Sequence, residues 1–270
     1  MTRRGRRTPP IAVLLAVVAV VFFALPLIGL LRRVAWSDLL DTLQQPAGRD
    51  AIRLSIECSL WSTFFSVLFG VPLAYVLARA TFPGRSLVRA LVVLPMVLPP
   101  VVGGVALLFA FQRNNGLVGG VIYDLFDFQF TFSKWGVVLA ETFVAMPFLV
   151  ITVEAGLRSI DRRYEEAAAS LGAGQWMVFR RVTVPMIGPA LIAGAALAWA
   201  RALGEFGATI TFAGNIQGRT QTTPLAVYNL LETQQPVAIA LSLVLLAISI
   251  AILVSLRDHW FGGMRDTVTS

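Results

Sequence analysis

The sequence predicts an all-α polytopic membrane protein with six transmembrane helices. Three observations carry that expectation. The chain is 57% hydrophobic, with a mean hydropathy of +0.76. Only 14% of its 270 residues are charged, against roughly 25% in a soluble domain. The apolar residues also gather into six charge-poor runs, each close to the ~20 residues that a helix needs to cross a bilayer. An open chain in hydrocarbon must satisfy its own backbone donors and acceptors, so each run is expected to be a helix.

The first run spans residues 11–31, behind a basic segment containing Arg3, Arg4, Arg6 and Arg7. Its apolar stretch is longer than the ~7–15 residues of a signal-peptide core, and no clear small-x-small site follows, so a retained helix is expected. The second run, 58–78, contains the single cysteine, Cys58. A lone cysteine forms no intrachain disulfide and is read as a small buried hydrophobe. The third run, 90–111, is interrupted by Pro95, Pro99 and Pro100 and then by Gly103 and Gly104. The fourth, about 135–157, carries Glu141 and Glu154, and the fifth, about 182–212, carries Arg201 and Glu205. The sixth is 237–256, with His259 and Trp260 just beyond it. Pro72 and Pro147 read as simple kinks. Glu141, beside Thr142, is expected to find an interhelical partner.

Charge placement sets the expected orientation. With a cytosolic N-terminus, fourteen Arg/Lys residues fall on the inner side and seven on the outer, with Arg201 inside a span. That bias places both termini in the cytosol. The net charge of +7 lies in short clusters between apolar runs, the pattern of membrane loops and not of a phosphate-tracking face, so no nucleic-acid partner is expected. The outer loops are then 32–53, with room for a short interfacial helix, 112–134 and 213–236. The organisation is one membrane domain, 51–256. A tail, first helix and outer loop (1–50) precede it, and a short cytosolic tail (257–270) follows.

The inner loop after the fourth run carries the clearest pattern. Residues 161–171 are good helix material, with Asp161 as N-cap and Glu165 and Glu166 early, where they favour the helix dipole. Tyr164, Ala167, Ala168 and Leu171 fall on one face. Gly172 and Gly174 end the helix, and a second amphipathic stretch, 175–181, leads to Pro185. The alanines permit close approach by another surface and the acidic pair offers polar contacts at its rim. The same residues also suit an ordinary helix lying on the membrane.

Inside the spans, Arg201 and Glu205 stand four residues apart, on one face of the expected fifth helix. A charge at the bilayer centre costs about 2.5–3.5 kcal/mol on insertion scales, so the two are expected to pair and face inward. They serve either as a polar element of a pathway or gate, or as a structural lock between helices. Gly204 and Gly207 permit close approach or local unwinding, and Pro99 with Pro100 forces a break. Discontinuous helices near mid-membrane point to a translocation site. No Gly-x-x-x-x-Gly-Lys-Ser/Thr phosphate loop occurs, so the chain is not expected to hydrolyse ATP. It has no His-Glu-x-x-His motif, and one histidine makes a His-based intramembrane enzyme an unfavoured alternative. A membrane scaffold that recruits a partner through the 161–171 helix remains a third reading.

Glu166-Ala167-Ala168, three residues, Gly172, nine residues and then Val182-Thr183-Val184-Pro185 resembles the EAA loop of ABC-transporter permeases of the binding-protein-dependent importer class. Val182 and Val184 stand where Ile and Leu are commoner. Further strings narrow the resemblance. They are Leu-Pro-Met-Val-Leu-Pro-Pro-Val-Val-Gly at 94–103, Ala-Arg-Ala-Leu-Gly-Glu-Phe-Gly-Ala-Thr-Ile-Thr-Phe-Ala at 200–213, and then Gly214-Asn215-Ile216 and Thr223-Pro224-Leu225. Together they are similar to the molybdate permease branch. Sulfate/thiosulfate permeases share the Ala-Arg-Ala-Leu-Gly-Glu-Phe-Gly segment, so that part does not separate the oxyanions. The resemblance covers about residues 50–255, and the extra N-terminal span departs from shorter five-span members.

The resemblance implies a type I ABC importer permease fold. It also implies an ATPase-coupling loop at Tyr164, Glu165, Glu166, Ala167, Ala168, Leu171 and Gly172, and a pathway or gate at Pro99, Pro100, Arg201, Gly204 and Glu205. It implies a cytosolic ATPase dimer that uses ATP and Mg, an extracytoplasmic oxyanion-binding protein, and a second copy of the chain, all in a bacterial-type cytoplasmic membrane. No catalytic residue, metal or cofactor is expected on this chain. Molybdate, tungstate and sulfate all remain candidate cargoes.

Overall fold

A computed structural model describes residues 9–261, with side chains through residue 256. The arginines at 3, 4, 6, 7 and 265, and the side chains of Arg257 and His259, lie outside the described residues. So do the expectations that rest on them.

Helix α1 (Pro10–Arg32) opens with proline at its first turn, where the missing N–H costs nothing. At 1.5 Å per residue its 23 residues reach about 35 Å, enough to cross a bilayer. A short α2 (Leu39–Gln44) follows in the expected loop. Helix α3 (Pro46–Arg79) begins well before the apolar run and lasts 34 residues, with Pro72 inside it and no interruption there. The expected domain boundary at residue 50 therefore falls inside a helix. The third run is two helices, α4 (Arg85–Val97) and α5 (Pro100–Phe111). Leu98 is extended, with φ −67° and ψ 131°, the conformation forced on a residue before proline, and Pro99 and Pro100 offer no N–H to continue α4.

The loop expected at 112–134 contains α6 (Gly119–Phe126), too short and too close to glycines to show as a helix in periodicity. Helix α7 (Lys134–Ser159) is capped by Ser133, whose Oγ accepts the Gly136 N–H at 3.1 Å. Next come α8 (Arg163–Ser170) and α9 (Gln175–Val178). Residues Phe179–Thr183 then form a π-helical turn that runs into α10 (Val184–Met186).

The expected fifth span differs most from prediction. It is not one helix over 182–212. The chain bends by 73° between Met186 and Gly188, because Pro189 has no N–H to give the Pro185 carbonyl. Helix α11 (Gly188–Leu203) then stops at Gly204, and a separate α12 (Gly207–Phe212) begins three residues later. The loop expected at 213–236 likewise folds α13 (Thr223–Thr233) before α14 (Gln235–Phe261).

Among the described residues, four helices (α1, α3, α7 and α14) are long and apolar enough to cross a membrane alone, or five spans if the bent pair counts as one. The six-span expectation counted α4–α5 as a further crossing, and the break at Leu98–Pro99 makes that pair two short helices. Helix α7 is the centre of the bundle. Two thirds of its apolar window is buried, against none of α1. One core joins α3, α7 and α11 through Ala74, Leu77, Leu149, Val153, Leu157 and Ala198. A second joins α5, α7 and α12 through Leu107, Ala140, Val144, Ala208 and Phe212.

Helices meet closely where side chains are small. A Cβ on Gly104 of α5 would lie 2.7 Å from Thr211 Cβ, 2.8 Å from the Ala208 oxygen and 3.0 Å from Ala208 Cα. Two of those neighbours are backbone and cannot swing away. Around Gly29 of α1 nothing lies within 4 Å. We expect Gly104→Val to destabilise the bundle by about 1–3 kcal/mol, and Gly29→Val to leave it unchanged. Thermal unfolding of both variants in detergent checks the difference.

Candidate functional site

Two regions hold the residues singled out in the sequence. They lie at opposite ends of α11, whose 16 residues span about 24 Å.

The first is α8 and its surroundings. The helix is shorter than the predicted 161–171. Arg162, not Asp161, holds the N-cap position, and the Asp161 Oδ1 accepts the Arg163 N–H at 3.0 Å from outside the helix. The C-terminus closes as a Schellman motif: Gly172 N–H bonds the Ala169 carbonyl at 2.9 Å and Ala173 N–H bonds that of Ala168 at 3.1 Å. This turn requires φ +85° at Gly172, a conformation that glycine alone adopts without penalty.

Nothing in α8 is buried. Tyr164, Glu166 and Ala167 face outward, Ala168 is half turned in, and Leu171 is 89% exposed. Trp176, 72% exposed, and Met177 extend this apolar surface beyond the predicted face. Periodicity within 161–171 had no means of finding them. Glu165 departs from its expected place at the rim beside Glu166. Its carboxylate turns inward, where Oε1 accepts from Arg79 Nη2 at 3.2 Å and from the Thr183 hydroxyl at 2.9 Å. Arg79 Nε stands 3.2 Å from Oε2, a charge contact without an aligned hydrogen bond. Neither Arg79 nor Thr183 carried any sequence signal for this role, because they lie 86 and 18 residues from Glu165.

Nearby, Glu154 of α7 takes hydrogen bonds from Arg89 of α4 and, at 2.8 Å, from Arg158 one turn on. Together the two acidic clusters tie this end of the bundle.

The second region lies where the two broken spans meet. Glu205 is not on the helix face of Arg201. It sits past the end of α11, in the break between α11 and α12. The ion pair nevertheless forms, with Arg201 Nη2 2.6 Å from Glu205 Oε2, because the turn at Gly204 carries the chain back. The other carboxylate oxygen accepts the Ala208 N–H at 2.7 Å and so caps α12. Glu205 is 1% exposed, so one buried carboxylate joins the end of α11 to the start of α12.

The break at Pro99–Pro100 lies against this one. A Cβ on Gly207 would come within 2.8 Å of Pro100 Cβ and 3.2 Å of the Val101 nitrogen. Gly207, two residues past Glu205, is thus the point where the break holding Gly204 and Glu205 meets the break at Pro99–Pro100. Arg201 is engaged by Glu205 and is not a free anion receptor. Glu141 did not meet its expected partner: its buried Oε2 has none among the described residues.

The broken spans, the central α7 and the exposed α8 are the architecture of a type I ABC importer permease. Residues 66–261 match the family described as binding-protein-dependent transport system inner membrane component, and the chain belongs to that family. It is 44% identical over 234 residues to the molybdenum transport system permease protein ModB of Mycobacterium bovis, covering 87% of this chain and 88% of that one. It is 38% identical over 228 residues to the sulfate transport system permease protein CysT of Salmonella typhimurium, covering 84% and 82%. Among solved structures, a chain of a bacterial alginate ABC transporter, in complex with an alginate pentasaccharide-bound periplasmic protein, superposes with a TM-score of 0.72. It is 19% identical, over 96% of this chain and 94% of that one, and shares the fold.

Removing the Glu205 carboxylate leaves Arg201 unpaired and the Ala208 N–H uncapped. Glu205→Gln retains an oxygen for the cap. We expect Glu205→Ala to cost about 2–4 kcal/mol and Glu205→Gln roughly half of that. Detergent-phase melting of the two variants checks the order.

Proposed function

We propose that this chain is the permease subunit of an ATP-driven oxyanion importer and that its cargo is molybdate. The observation that carries the reading is α8, a solvent-facing helix bearing Glu166-Ala167-Ala168 and Leu171 with nothing packed on its outer face. It stands at the end of a multi-pass membrane protein whose relatives are named as transport permeases. In this reading α8 faces the cytosol and both termini lie on that side. Six crossings follow if α4–α5 and the bent fifth span each count once.

An ATPase dimer binds and hydrolyses ATP with Mg, and this chain binds no cofactor and has no catalytic residue. Tyr164, Glu166, Ala167, Ala168, Leu171 and Gly172 form the ATPase contact. An extracytoplasmic binding protein delivers the oxyanion to the opposite face of a dimer of this chain in a bacterial cytoplasmic membrane. Closure of the ATPases moves the α8 ends, and the apposed breaks at Pro99–Pro100 and Gly204–Phe206 are where the spans bend as access switches.

Molybdate is favoured by the 44% identity to a molybdenum permease against 38% to a sulfate permease. Sulfate is the second reading, and tungstate shares the geometry and charge of molybdate. Uptake of labelled molybdate into vesicles, with unlabelled molybdate, tungstate and sulfate as competitors, tests the order. Sulfate competing as well as molybdate would move the assignment to the sulfate branch.

Gly172→Arg tests the docking role. Nothing lies within 4 Å of a Cβ there, so the bundle is undisturbed, but φ +85° costs arginine about 1–2 kcal/mol, which weakens the Schellman turn, and a long charged side chain now projects from the exposed end of α8. We expect the variant to insert normally and to lose capture of the ATPase in a pull-down. Unchanged capture would remove α8 as the dock.

A further inference from the structure

Helix α8 has little means of moving the bundle by packing. No residue of it is buried, and it stands over a groove of about 450 Å³ lined by Tyr75, Val76, Arg79, Glu165, Ala169 and Val178. Its two connections, at Ile160–Arg162 and Leu171–Gly174, are non-helical turns. Among the described residues, one side chain of α8 bonds outside its own segment. That side chain is Glu165, with Arg79 at the last turn of α3 and Thr183 at the end of the π-helical turn.

The side chains of Arg79 and Glu165 are only 11% and 16% exposed. Their attraction is therefore screened less than that of a surface pair. One hydrogen bond, from Arg79 Nη2 to Glu165 Oε1 at 3.2 Å, is joined by the charge contact of Nε with Oε2 at the same distance, so the guanidinium lies against both carboxylate oxygens. Glu166, next in sequence, faces solvent, and its side chain makes no such bond among the described residues. One carboxylate is thus left for a partner and one is committed to the bundle.

We propose that Arg79 and Glu165, steadied by Thr183, form the strut that transmits displacement of α8 into α3. They are positioning residues: they touch neither cargo nor ATP. The inference rests on the reading of α8 as the ATPase dock and adds to it a route into the membrane. Movement of α8 pulls the end of α3, which lies along α7 and α11, while Thr183 carries the same displacement into the bend that precedes α11. Loss of the strut leaves the dock intact and breaks the link between hydrolysis and transport.

The test uses the complete transporter in proteoliposomes, with its ATPase and binding protein and with labelled molybdate as probe. We expect Glu165→Gln to retain the ATPase in a pull-down and to keep hydrolysing ATP, while molybdate moved per ATP falls about tenfold, within the usual range of coupling energies. The reversed pair, Arg79→Glu with Glu165→Arg, restores most of that ratio. Thr183→Val removes one hydroxyl only and gives a smaller fall, which carries the test if Glu165→Gln does not reach the membrane.

An unchanged ratio in Glu165→Gln or Thr183→Val, with the complex assembled, would overturn the strut. So would parallel loss of assembly, hydrolysis and transport, because a purely structural role lowers all three and leaves the ratio alone. Failure of the wild-type chain to hold the ATPase would instead remove the docking reading on which the strut depends.

Discussion

Helices in lipid gain little from hydrophobic association, because lipid tails are as apolar as leucine. Their bundles depend on how closely the backbones approach. Here that approach is made between α3 and α7. The buried side of α3 is mostly small, with Gly48, Ala51, Ser55, Cys58, Ser59, Ser62, Ser66, Gly70, Ala74 and Ala78, and only Leu54, Val71 and Leu77 are larger. A Cβ on Gly70 would fall 2.9 Å from Leu149 Cδ2 and 3.2 Å from Val150 Cγ2 of α7. The serines also serve as acceptors. Ser55 Oγ takes the Thr223 N–H at 2.6 Å and Ser59 Oγ takes the Trp199 Nε1–H at 3.0 Å. Helices α11 and α13 are thereby tied to the same rail, and α4, α5 and α12 pack against its α7 side.

Against this rigid pair the two broken spans are the exception. A break in a membrane helix exposes backbone groups that no water can satisfy, so it persists only where protein supplies partners. Glu205 supplies them at one break, by capping α12 while neutralising Arg201. At the other, prolines have removed the donors in advance. The close contact of Gly207 with Pro100 sets both breaks side by side, and a polar interruption in two spans becomes one internal feature of the bundle.

Much of this was legible in the chain. The apolar runs marked the long helices, although α3 and α4 began before theirs because helix continues past the apolar stretch. Pro99 and Pro100 announced a break and produced one. The pairing of Arg201 with Glu205 was predicted correctly for a partly wrong reason. The i, i+4 spacing suggested one helix face, whereas the contact is made across a turn at Gly204 that no periodicity reveals. The helix of the Glu166-Ala167-Ala168 motif was legible within two residues at its start and one at its end. The inward turn of Glu165 was not, since two adjacent glutamates are equivalent until Arg79 is brought to one of them.

By itself the sequence determined that the chain is helical and membrane-embedded, because composition and run length answer to the bilayer, which acts on each segment separately. It also determined the family, because the spacing from Glu166 to Pro185 lies within one continuous stretch. Only the tertiary structure decided which breaks adjoin, which glutamate anchors α8 and which helix is central. Those outcomes depend on contacts between residues as far apart as Arg79 and Glu165 or Gly104 and Ala208. They are set by how small side chains let backbones meet, a property of pairs of helices and not of either one alone.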